Sequence, residues 1–185
     1  MDKLLLEYPW LNKVVSQSKE HGLDWLLMAC LALELSGGDP RCRTLDAEFL
    51  AKELGESATD LAISEQWIKI PLAIEGDEAI ITSVPNVNIY DRATKWGLFQ
   101  ILGETVIARG IFTGRMINFV DIGANTRAAC FLFEEIIRKD GTERDAILYF
   151  GADPDRVYTL MEETRKSIRI LLDINATEEE ELEQA

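Results

Sequence analysis

Apolar residues recur at helical spacing near the start of the chain. Leu11, Val14 and Val15 share one face of a segment over residues 10–20. Gly22 breaks that segment, and Asp24 is placed to cap the next one. From Trp25 to Leu35 nearly every position is apolar, so this helix has no polar face to offer water and belongs at the centre of the domain. Ser36-Gly37-Gly38-Asp39-Pro40 ends it. Leu45 to Leu54 reads as a further helix, with Thr44 or Asp46 near its start. The period then falls to two: Ile68, Ile70, Leu72 and Ile74 alternate with other residues. Glu75-Gly76-Asp77-Glu78 forms a turn, and Ala79-Ile80-Ile81-Thr82 returns as a second strand. Pro71 has no N–H to give a ladder and keeps the first strand at an edge. After Tyr90 helical patterning resumes, over Thr94 to Ala108, Ala124 to Lys139, Thr142 to Phe150 and Pro154 to Leu172. The pattern predicts an α+β fold, mostly helical, with one small β-hairpin region.

Length and charge refine this picture. The 185 residues suffice for one domain with its own core, and no repeat or long linker divides them. The 33 acidic and 19 basic residues give a net charge of -14. A nucleic-acid binder needs a basic face, so no nucleic-acid partner is expected. Glu178-Glu179-Glu180-Glu181-Leu182-Glu183 has almost nothing apolar to bury. The domain is therefore expected over 1–174, and 175–185 as an acidic solvated tail. The longest apolar run, Trp25 to Leu35, falls short of the roughly 20 residues that span a bilayer, so no membrane span is expected. Glu7, Pro9 and Asn12 interrupt the first residues. No signal peptide is read there, and synthesis in the cytoplasm is expected.

Few side chains are left to carry chemistry. Cys30, Cys42 and Cys130 match no metal spacing, and their odd number suits a reduced compartment. Cys30 and Cys130 lie in apolar runs and read as packing residues. His21, the single histidine, has no His or Cys neighbour and reads as structural or surface. A histidine triad and a zinc site are thus not expected, nor is any metal or cofactor. Glu34 is different: after Asp24 it is the one ionisable residue of the apolar helix. Desolvation and the negative end of the helix both raise a carboxyl's pKa. A carboxyl kept neutral near about pH 6–7 can protonate a glycosidic oxygen. The plain alternative is a glutamate reaching solvent at a helix end.

Ala93-Thr94-Lys95-Trp96-Gly97-Leu98-Phe99-Gln100-Ile101-Leu102-Gly103 resembles the GLMQI-type motif of the lytic transglycosylases, in the lysozyme superfamily. Ala108-Arg109-Gly110-Ile111-Phe112 resembles that motif's continuation. Other segments match in order. Ser36-Gly37-Gly38-Asp39-Pro40 resembles the end of the catalytic helix. Leu45-Asp46-Ala47-Glu48-Phe49 resembles a stretch of a phage-associated subgroup. Asn125 to Leu132 resembles the helix after the motif, and Ala146-Ile147-Leu148-Tyr149-Phe150-Gly151 a segment whose tyrosine lies near the acid. The resemblance covers about residues 8–165. Two positions depart from it. The family's catalytic glutamate immediately precedes the serine, where this chain has Leu35, with Glu34 one place earlier. A one-residue insertion at the helix end would return Glu34 to the catalytic place; without it, Leu35 holds that place. The family's Tyr-Asn pair is here Tyr149-Phe150, and Phe150 is the other candidate for the tyrosine position.

The resemblance implies a two-lobed lysozyme-like domain that cleaves the β-1,4 bond between N-acetylmuramic acid and N-acetylglucosamine in peptidoglycan glycan strands. Glu34 would act as acid and then base, while the muramic 6-hydroxyl attacks and leaves a 1,6-anhydro end. Ser36, Gly97, Gln100 and Tyr149 would hold the acid and the sugar. A hydrolytic variant would add a water-activating carboxylate, from Asp46, Glu48 or Asp91. The alternative is a catalytically degenerate lysozyme fold with a structural or wall-binding role in a phage virion, among phage structural proteins. Either form would act at the cell wall or within a virion.

Overall fold

The computed structural model describes residues 8–54, 87–112, 115–139 and 141–183. Helix α1 (Leu11–Glu20) turns Leu11, Val14 and Ser18 inward. Helix α2 (Trp25–Ser36) buries every residue from Leu26 to Ala32, as a sequence without a polar face requires. Each fully buried leucine there is worth roughly 1.5–3 kcal/mol. The Asp24 carboxylate accepts the Leu26 N–H at 2.8 Å and caps the helix as expected. Gly37, at φ 64°, closes it in the left-handed region.

Strand β1 (Arg43–Leu45) precedes helix α3 (Ala47–Leu54). Leu45 therefore belongs to a strand, not to the expected helix. Asp46 is the cap, its carboxylate accepting the Phe49 N–H at 2.9 Å. The hairpin expected over Ile68 to Thr82 lies outside the described residues. Helix α4 (Val87–Ala93) leads into strand β2 (Thr94–Trp96), a four-residue turn, and strand β3 (Ile101–Leu102). The three strands form one antiparallel sheet in the order β1-β2-β3. Leu45 pairs with Thr94, Arg43 with Trp96, and Trp96 with Ile101.

Helix α5 (Gly103–Ala108) follows, then a 3-10 turn over Met116–Val120 and helix α6 (Ile122–Arg138). Helix α7 (Glu143–Tyr149) starts from a reciprocal cap between Thr142 and Asp145. Helix α8 (Pro154–Glu183) runs eleven residues past Leu172, where its patterned stretch was expected to end, and so takes in most of the acidic end. The chain is mostly helical with a small antiparallel sheet.

The main core joins α1, α2, α6, α7, the start of α8 and the segment from Trp96 to Ile101. A second, smaller cluster gathers Leu50, Ile89, Tyr90 and Ala93 between α3 and α4. Cys30 and Cys130 are free and buried. Burial pushes their thiols up to about 11 and about 12, so both are packing residues without thiolate chemistry. His21 pairs with Glu134 at 2.8 Å, a structural link between α1 and α6. No helix among the described residues is long and apolar enough to cross a membrane.

Candidate functional site

The segment Trp96–Ile101 was expected inside a helix from Thr94 to Ala108. It is instead a hairpin, and two backbone conformations explain why. Gly97 takes φ 74°, and Gln100 takes φ 48°, the one described residue other than glycine with positive φ. Neither fits a right-handed helix, and a side chain at positive φ costs free energy that its surroundings must offset. For Gln100 the offset is visible. Its side-chain amide donates to the Cys42 carbonyl at 2.9 Å and to the Gly97 carbonyl at 2.8 Å. The same turn is closed by Gln100 N–H to Gly97 C=O and by Gly97 N–H to Cys42 C=O, at 3.1 and 2.8 Å.

Asn125, at the start of α6, holds the turn from the other side. Its Oδ1 accepts the Phe99 N–H and its Nδ2 donates to the Trp96 carbonyl, both at 2.9 Å. Asn125 is fully buried, as are Leu98 and Phe99. A β-carbon on Gly97 would stand 2.6 Å from Asn125 Nδ2, so only glycine lets the two approach. Sequence reasoning placed Gly97 and Gln100 here but gave Asn125 no role. The signal was available: Asn125 falls on the apolar stripe of α6 with Ala128, Ala129, Leu132 and Phe133, where an amide needs buried partners.

The expected partners on α2 are arranged differently. The Ser36 hydroxyl donates to the Ala32 carbonyl at 2.9 Å, and the backbone Gly37 N–H donates to the Leu33 carbonyl at 2.8 Å. The helix thus keeps its i to i−4 register to the end, with no bulge to absorb an extra residue. Glu34 and Leu35 stay one step, about 100°, apart. The Glu34 carboxylate, with its side chain 13% exposed, meets Arg156 of α8 at 3.3 Å. Leu35 packs against the main core. Tyr149 is 46% exposed at the end of α7, edge-on to Phe150 at 5.6 Å. Phe150 is the buried member of the pair and stacks with Phe133.

The three further carboxylates also separate. Asp46 is held below its usual range: burial, which would raise it, is outweighed by the Phe49 N–H and by Lys95, whose ammonium lies 3.2 Å away. Glu48 is exposed in the first turn of α3. Burial pushes Asp91, on α4, up to about 6. The Asp91 backbone carbonyl accepts the Trp96 indole N–H at 3.0 Å, which ties α4 to the residue before Gly97. Among the described residues no group of His, Cys, Asp and Glu could hold a metal ion.

Compared with known proteins, the chain matches no family model, no curated protein and no solved structure.

Proposed function

We propose that this chain is a lysozyme-like domain, of the lytic transglycosylase kind, directed at the glycan strands of peptidoglycan. The observation that carries the reading is the Gly97–Gln100 turn. Two unusual backbone conformations are fixed there by a buried asparagine and a buried glutamine, in the segment whose sequence resembles the family's motif. Such rigid, strained turns are retained where geometry at a ligand matters. In this reading Gln100 positions backbone for the sugar, since its amide protons are already engaged.

Two forms of the reading differ in Glu34. In the first, Glu34 is the acid and base that cuts the N-acetylmuramic acid–N-acetylglucosamine bond. In the second, Glu34 has left that role, and the domain serves wall binding or a structural place in a phage virion. The unbroken register of α2 and the Arg156 partner favour the second as regards Glu34. Cosedimentation with purified insoluble peptidoglycan, run beside release of soluble muropeptides by wild type and Glu34→Gln, tests both. The reading expects binding, and no release that depends on Glu34. A loss of about 100-fold or more in Glu34→Gln, the lower range for a general acid, reinstates the first form. Absence of binding removes the peptidoglycan reading altogether.

A further inference from the structure

We draw no further inference here: the strongest candidate, the open groove that Lys13 of α1 and Arg127 of α6 line beside the first turn of α6, rests on a helix N-terminus that the Asp121 carboxylate already caps, and nothing else among the described residues points to a ligand there.

Discussion

The side-chain amide of Asn125 occupies the space that a β-carbon on Gly97 would need. A carbon built there would stand 2.6 Å from Nδ2 and 2.7 Å from Cγ. The same amide bridges Trp96 and Phe99 on either side of the glycine. The two residues thus form one unit although 28 positions separate them. The hairpin can reverse direction only because Gly97 accepts positive φ and Asn125 replaces the ladder bonds that the turn forgoes.

Gly97→Val is expected to cost about 2–4 kcal/mol, combining left-handed strain with the forced movement of Asn125. Lys95→Ala, one strand position away from the turn, should cost under about 1 kcal/mol. It removes only a half-exposed pair with Asp46. Chemical denaturation of both variants checks this. Equal midpoints would mean that the turn relaxes freely and is not held by Asn125.

Asn125→Leu keeps the volume but strands the Phe99 N–H and the Trp96 carbonyl inside the protein. Each buried, unpaired backbone group costs about 1–3 kcal/mol, so a loss of about 2–5 kcal/mol is expected. Hydrogen exchange adds a local readout, since the Phe99 amide should lose protection before the amides of α2 do. A variant as stable as wild type, with that amide still protected, would show that water or another group takes over.

The helices were legible where one force dominated. Leu26 to Ala32 could be placed at the centre because no polar face competed. Asp24 announced a helix start through ordinary cap chemistry, whereas the cap at Thr142 emerged from the structure. The hairpin of β2 and β3 was not legible, because Leu98, Phe99 and Ile101 are spaced well enough for a helix. What forbids the helix is the tertiary bonding of Gln100 to Cys42, 58 residues away in sequence, together with Asn125. The site was legible in part for the same reason. Gly97 and Gln100 stand out as residue types, whereas the orientation of Glu34 depends on Arg156, over a hundred residues away on another helix. Nothing local marks that pairing.

Asp91 should leave a signature in the pH dependence of stability. Its folded pKa, about 6, lies above the ordinary aspartate value. The folded state therefore binds more protons than the unfolded state between about pH 4 and 6, and this contribution fades as pH rises through that window. Asp91→Asn removes the effect. Its stability relative to wild type should improve by about 1 kcal/mol from pH 4 to 7, after allowing for solvent screening of a part-exposed group. Asp46, with a lowered pKa, acts in the opposite direction in both proteins and cancels from the comparison. A flat difference across this range would place the Asp91 carboxyl in ordinary solvent.

Removal of residues 175–185 should change the melting temperature by less than about 2 °C. The segment holds five carboxylates, and its apolar side chains are only Ala176, Leu182 and Ala185, too little to bury much area. A drop of several degrees on truncation would mean that the acidic end docks on the rest of the chain.

Glu34 and Leu35 provide the decisive pair of substitutions on α2. Glu34→Gln keeps nearly the same volume and leaves Arg156, 71% exposed, free to find water. The lost pair is worth at most about 1 kcal/mol, so folding should survive. Since Glu34 faces α8 and its helix keeps regular register, muropeptide release by this variant should equal that of wild type. Leu35→Glu places a carboxyl immediately before Ser36. Leu35 packs against the main core, so the new carboxyl should cost about 1–3 kcal/mol. Muropeptide release gained by Leu35→Glu would show that α2 borders a glycan-binding site, as the proposed peptidoglycan reading requires. Release lost in Glu34→Gln alone would instead return the acid to Glu34, and the Arg156 contact would then be a resting arrangement that the substrate displaces.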